Sequence, residues 1–211
     1  MTSMGRRQML AIPIVAPFAG ALWGNEARSQ TDSAREMIRE RYFPNVVLRT
    51  QGNKQVRFYD DLIKGNMVTI NFMYCQCQGI CVPVTQNLVK VQKLLRDRVG
   101  RDIFMYSITL KPEQDGPAEL KQYTQMCHVG PGWTFLTGKR DDIELLRRSL
   151  GFTDPDPDVD KDKSNHIGNV RYGNEPLMLW AACPGMAKPA WIAESILWAD
   201  RRIGAQSKKP L

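Results

Sequence analysis

The run MVTINFMYCQCQGICVPVTQNLVKVQ, residues 67–92, restricts the folds open to this chain more than any other stretch. Its opening MVTINFMY is bulky and mostly apolar, as a strand covered on both faces requires. Its far end opens a helix expected from about Pro83 to Val99, on which Val84, Leu88, Val91 and, just beyond the run, Leu95 share one face. Pro83 suits a first helical turn, where a missing N–H costs nothing. Between strand and helix stand three of the five cysteines, Cys75, Cys77 and Cys81. A buried strand feeding a helix through a cysteine loop calls for an α/β layer structure, and the loop is where chemistry is to be sought.

The flanking segments agree. Residues 30–42 (QTDSAREMIRERY) read as a short charged helix. NVVLRT and KQVRFYDDLI are β-like, separated by the Gly52–Asn53 turn signal. DIFMYSITL is a further strand, PAELKQYTQMC a helix opened by proline, WTFLTG a short strand, and RDDIELLRRSLG a helix closed by Gly151. The acidic segment 154–165 reads as a solvated loop, since its prolines and spacing do not fit a calcium-binding EF-hand. HIGNVRYGNE and PLMLWAAC form a predicted hairpin, followed by a helix in KPAWIAESILWADRRI. Strands alternating with helices, then a hairpin and helix, predict an α/β sandwich with a mixed central sheet flanked by helices. The expected organisation is an export or tether segment at 1–29, one domain over 30–204, and a solvated tail at 205–211.

The N-terminus carries Arg6 and Arg7 ahead of an apolar run from about Met9 to Trp23. That run is shorter than the ~20 residues a membrane-spanning helix needs, and it has the length of a signal-peptide core. Paired arginines ahead of it point to twin-arginine export. An uncleaved tether is the competing reading, and either one places the domain in the periplasm. A formal net charge of +7 can steer the protein toward acidic partners or an anionic membrane surface. No long basic run and no aromatic-interleaved RNA motif accompanies it, so nucleic acid is not expected as a partner.

Five cysteines in an oxidising compartment leave at least one thiol unpaired. Were Cys77 and Cys81 both in the first helical turn, their sulfurs would lie one above the other, able to close a disulfide or pinch a metal ion. Helix-terminal N–H groups and the helix dipole favour thiolate there, below the usual pKa of ~8.5. The chain has two histidines and no second close ligand pair of the kind a zinc site wants. Two thiolates with one imidazole make a soft, low-coordinate site that favours copper.

From this strand to the LTG segment, the chain resembles the Sco/SenC family of thioredoxin-like copper proteins. The family's Phe-x-Tyr/Phe-Thr-x-Cys-x-x-x-Cys-Pro corresponds to Phe72, Tyr74, Cys75 in place of threonine, Cys77, Cys81, and Pro83 one place late. Its S-x-D-P-x-x-D-T-P segment is similar to Ser107–Pro117, with substitutions and an extra residue. Trp133, Leu136, Thr137 and Gly138 match its W-x-x-L-T-G, and Leu120 and Tyr123 match the helix between. Its ligand histidine falls on His166, with Asn165 where an acidic neighbour is usual. The resemblance covers about residues 45–170. It implies a thioredoxin-like fold and one copper ion, Cu(I) or Cu(II), held by Cys77, Cys81 and His166. It implies delivery of copper to, or reduction of the cysteines of, the dinuclear copper centre of cytochrome c oxidase, the copper-receiving subunit being the partner.

A second class remains open: a periplasmic thiol–disulfide oxidoreductase without obligatory metal, with Cys77 and Cys81 as the catalytic pair and a periplasmic thiol reductase as partner. A copper or redox sensor is a third. A peroxidase is disfavoured, since no lone cysteine follows a Pro-x-x-x-Thr. Cys127 is expected to pack and His128 to lie at the surface, while a Cys127–Cys183 disulfide is an alternative. Met73, Met105, Met126 and Met178 read as core filler on strands and helices. Trp191 and Trp198, spaced for one helical face, are expected to pack.

Overall fold

The computed structural model describes residues 36–161 and 168–200. The chain divides into two units at Ile38/Arg39, and the fold is that of the unit from Arg39 onward. Residues 36–42 are helical. The expected export segment and the tail at 205–211 lie outside the described residues.

Seven strands form one mixed sheet: β1 (Val47–Thr50), β2 (Gln55–Arg57), β3 (Met67–Met73), β4 (Ile103–Thr109), β5 (Trp133–Gly138), β6 (Asn169–Asn174) and β7 (Leu179–Pro184). Their order is β2-β1-β5-β4-β3-β6-β7. β3, β4 and β5 run parallel at the centre, and the outer pairings are antiparallel. All seven residues of β3 are buried, as its continuous apolar character requires for a central parallel strand.

The helices are α1 (Cys81–Leu95), α2 (Pro117–Met126), α3 (Arg140–Ser149), α4 (Pro157–Lys161) and α5 (Pro189–Ala199). Side-chain alternation sorts them onto two faces. Phe135 of β5 meets Tyr123 of α2 at 5.8 Å between ring centroids. The Tyr123 hydroxyl is 2.9 Å from Thr85 of α1, so α1 and α2 share that face. On the opposite face, Phe72 of β3 meets Phe152, just beyond α3, at 4.8 Å between tilted rings. α5 packs on α1 and β6.

Several sequence expectations shift. KQVRFYDDLI is a strand only over β2. Phe58–Ile63 is instead a π-helical turn, because Asn45 Oδ1 accepts the Tyr59 and Asp60 N–H groups and Asp61 accepts the Arg57 N–H. The first helix of the site starts earlier than expected, at Cys81, and passes into a 3-10 turn at Arg96–Arg98. Met73 and Met105 are core residues, but Met126 is 58% exposed and Met178 sits in the β6–β7 turn with φ 51°. Trp191 and Trp198 share a helix face as expected, yet that face is the outer one. Ile192, Ala193, Ile196 and Ala199 are what α5 buries, leaving the two indoles 47% and 42% exposed.

The acidic segment is not simply solvated. α4 forms within it, and Asp160 binds Arg147 of α3 through two contacts, 2.6 and 2.5 Å long. Arg147 is 3% exposed. It also donates to Glu144 and to the Phe152 carbonyl. Hydrogen bonding to Asp160, and then to Glu144, outweighs burial and holds its pKa above the ordinary arginine value.

Candidate functional site

The loops that leave the C-terminal ends of β3 and β4 meet beyond the ends of these central strands, where ligand sites of open α/β sheets usually form. The first carries Cys75 and Cys77 into α1. The second runs from Thr109 through Asp115 to α2. Leu110 N–H joins the two strand ends by donating to the Met73 carbonyl at 2.8 Å.

Only Cys81 belongs to a helical turn; Cys77 lies in the loop before it and folds back. The two cysteines are neighbours whose thiols act on one another's ionisation. Burial by itself opposes ionisation of Cys77. Hydrogen bonds from the Cys81 thiol and backbone N–H, from the Tyr74 hydroxyl and from the Gly79 N–H outweigh it, and the Cys77 pKa falls below the ordinary thiol value. Cys81 goes the other way, pushed up first by burial and then by its thiol's bond to Cys77, with one opposing donor in the Tyr74 N–H. The helix-terminal stabilisation foreseen for the pair is thus concentrated on Cys77. Lys111 adds a positive charge nearby, its Nζ 4.0 Å from the Tyr74 ring centroid.

This asymmetry is that of an attacking and a resolving thiol. Iodoacetamide is expected to modify Cys77 first and at lower pH than Cys81 or Cys75, because a depressed pKa leaves thiolate present on the acidic side of the ordinary range. Mass spectrometry of the peptides checks the order; Cys81 leading would contradict the arrangement. The pair is largely covered. Cys77 is 8% exposed and Cys81 2%, so an edge of Cys77 is what faces solvent.

Cys75 is not turned toward this pair. Its N–H donates to Asp115 Oδ2 at 3.0 Å and its thiol to the same carboxylate, while burial foremost, and then the Asp115 charge, push its pKa up. Cys127 is buried, as expected, and His128 exposed. Cys127 and Cys183 are both free thiols rather than partners. Cys183 sits on β7 opposite Val170, its pKa pushed up to about 11 by burial.

His166 lies outside the described residues. Among the described residues no group of three or more His, Cys, Asp or Glu is arranged to hold a metal ion. Two adjacent sulfurs nevertheless fit a soft cation such as Cu(I). A cleft of about 780 Å³ lined by Arg49, Gly116, Pro117, Lys139 and Asp142 is separate, and none of the five cysteines lines it. Asp115, 2% exposed beneath the loop, was not singled out from sequence; its only signal was its place in the Ser107–Pro117 motif.

These features define a class: a thioredoxin-like protein with a dithiol where a central parallel strand enters a helix. The SCO1/SenC family model matches residues 48–170, more than half of the chain, and the chain belongs to that family. It is 31% identical over 77 residues to the SCO1 protein homolog of Bacillus subtilis (strain 168), covering 36% of this chain and 39% of that one. It is 31% identical over 87 residues to a SCO2-like protein of Rickettsia conorii, covering 41% of each. The matches thus span about two fifths of these relatives' lengths. Among solved structures, copper-bound Sco1 of yeast superposes with a TM-score of 0.61 at 18% identity over 78% of this chain and 96% of that one. Copper-bound ScoI of Arabidopsis thaliana gives 0.60 at 16% identity over 76% and 98%. BsSco, a Sco protein of cytochrome c oxidase assembly with a disulfide switch, gives 0.59 at 23% identity over 73% and 90%.

Proposed function

We propose that this protein is a copper-handling accessory protein that passes copper to, or reduces the cysteines of, the dinuclear centre of cytochrome c oxidase. The observation that carries the reading is the placement of Cys77 and Cys81, both buried, where β3 passes through its loop into α1. Family membership supports the assignment, as do copper-bound structures of Sco proteins sharing the fold. Copper is the cargo here. Cys77 and Cys81 supply the two thiolates, and release proceeds by exchange of each sulfur for a thiol of the receiving subunit.

His166 is proposed as the third ligand. What supports it is the chain beside it. Gly168 packs against Ile80, the residue before Cys81, so closely that a Cβ on Gly168 would lie 2.6 Å from Ile80 Cδ1. Gly185 holds Gly168 there, donating its N–H to the Gly168 carbonyl at 2.7 Å. A side chain at Gly185 would meet that carbonyl at 2.7 Å and Val84 Cγ1 at 2.8 Å. Gly168, two positions after His166 in the sequence, is thereby held beside the residue that precedes Cys81. Replacing His166 with alanine is expected to abolish the Cu(II)–sulfur charge-transfer absorption and to lower bound Cu(II), with disulfide exchange retained. Undiminished copper binding in His166→Ala would sink the three-ligand site.

The asymmetric thiols favour a second reading as well, a thiol–disulfide oxidoreductase in which Cys77 attacks a partner disulfide and Cys81 resolves the mixed disulfide. Full disulfide-reductase turnover by metal-free protein, with no copper retained on isolation, selects this reading over delivery. Under either, residues 1–29 serve as export signal or tether and residues 30–204 act on the periplasmic side. Among the described residues no helix is long and apolar enough to cross a membrane.

A further inference from the structure

The cleft of about 780 Å³ adjoins the loop from β4 to α2, since Pro112 of that loop and Pro117, the first residue of α2, both line it. Strand register builds another part of its wall. Gln55 of β2, Arg49 of β1 and Thr137 of β5 are cross-strand partners, so their side chains leave the same face of the sheet. All three line the cleft, as do Lys139 and Asp142 at the start of α3.

The charges there are unbalanced. Two cations, Arg49 and Lys139, stand against one carboxylate, Asp142. Among the described residues none of the three is in an ion pair, and Arg49 donates only to the uncharged Asn53 side chain, at 3.1 Å. Thr137 is an independent sign. It is 5% exposed, and its hydroxyl has no hydrogen-bond partner among the described residues. A hydroxyl left unpaired under such cover costs free energy, so an acceptor that reaches it from the cleft is favoured. β1 is paired along both edges, so no free strand edge is offered here and a ligand is held by side chains. The volume is that of sites for ligands much larger than a single small anion, and Val47, Pro112 and Pro117 supply apolar surface for methylene groups.

We infer that this cleft receives an extended acidic segment of a protein partner, whose carboxylates meet Arg49, Lys139 and the Thr137 hydroxyl. A segment held there lies against the loop that Leu110 and Asp115 tie to the end of β3 and to Cys75. Docking thus brings a partner beside the cysteine loop. The inference goes beyond the copper reading and does not depend on it.

Calorimetric titration of the metal-free full chain at low ionic strength tests it, with hexaglutamate as the probe and hexaglutamine as the neutral control. Only hexaglutamate is expected to bind, and less tightly as salt is raised. Arg49→Gln/Lys139→Gln is expected to lower its affinity by about tenfold or more, the scale of a hydrogen bond to a charged group. Each single change carries part of that loss. Thr137→Val, which keeps the shape and removes the hydroxyl, is expected to cost about threefold. Lys90→Gln/Lys93→Gln removes the same net charge from exposed positions of α1 outside the cleft, and is expected to leave the affinity within about twofold of the parent. No binding of hexaglutamate overturns the inference. An equal loss in the two double variants also overturns it, by showing general attraction to a basic protein. So does glutarate displacing the peptide at equal affinity, which makes the cleft a site for small anions. A concentration-dependent dimer that Arg49→Gln/Lys139→Gln abolishes places a second copy there and overturns it as well. No arm contains copper, so failure here leaves the copper reading standing, and a protein that binds no copper leaves this result unchanged.

Discussion

Replacing Arg147 with methionine is expected to destabilise the protein by about 3–5 kcal/mol, the usual cost of removing one partner of a buried ion pair. Arg147 is held between Glu144, Asp160 and the Phe152 carbonyl, with its side chain 4% exposed and that of Asp160 17%. Methionine fills similar space but leaves the Asp160 carboxylate without its cation and the Phe152 carbonyl without its donor. For a domain of this size the loss corresponds to a melting temperature lower by about 6–20 °C, read by circular dichroism. A second change tests the cause. Asp160→Asn in the Arg147→Met background removes the stranded charge and is expected to recover part of the loss. A drop below about 1 kcal/mol in the single variant, the value of a surface pair, would show that water reaches the pair freely.

Serine at Cys77 or at Cys81 is expected to lower Cu(I) affinity by more than about 100-fold, beyond the upper end of the range for residues that merely orient a ligand. Each substitution removes one of two soft donors, and the hydroxyl left in its place is a poor ligand for Cu(I). The two variants should differ in their remaining thiol. Cys81→Ser keeps an attacking sulfur at Cys77 and is expected to trap a mixed disulfide with a thiol-bearing partner. Cys77→Ser leaves the buried Cys81, whose ionisation is opposed by burial, and is expected to be nearly inert. Copper titration and non-reducing electrophoresis check both. Copper bound equally well by Cys77→Ser and the parent protein would show that the pair is not the copper site.

Much of the architecture is legible along the chain because the signals are local. Central strand β3 is a continuous apolar run, β5 coincides with WTFLTG, and α2 opens at Pro117 as its proline indicates. The π-helical turn at Phe58–Ile63 was not legible, since it depends on Asn45, more than a dozen residues earlier, offering its side-chain oxygen to two N–H groups. The outward tryptophans of α5 show the same limit. Helical spacing says that Trp191 and Trp198 share a face, but which face is covered depends on α1 and β6, which α5 meets only in the folded molecule.

For the site, the order of residues along the chain already specified that Cys77 and Cys81 stand at a strand-to-helix junction and that three cysteines are clustered there. The division of labour among those three was decided in three dimensions. Cys77 gains four hydrogen-bond donors, Cys81 is buried behind it, and Cys75 turns away to a carboxylate forty positions further on. Spacing governs which groups can be near one another along one element. At Cys77 the donors come from its own loop and the start of α1, so the balance there depends on how that loop folds. At Cys75 the deciding group, Asp115, comes from the loop after β4 and arrives only when the sheet is assembled.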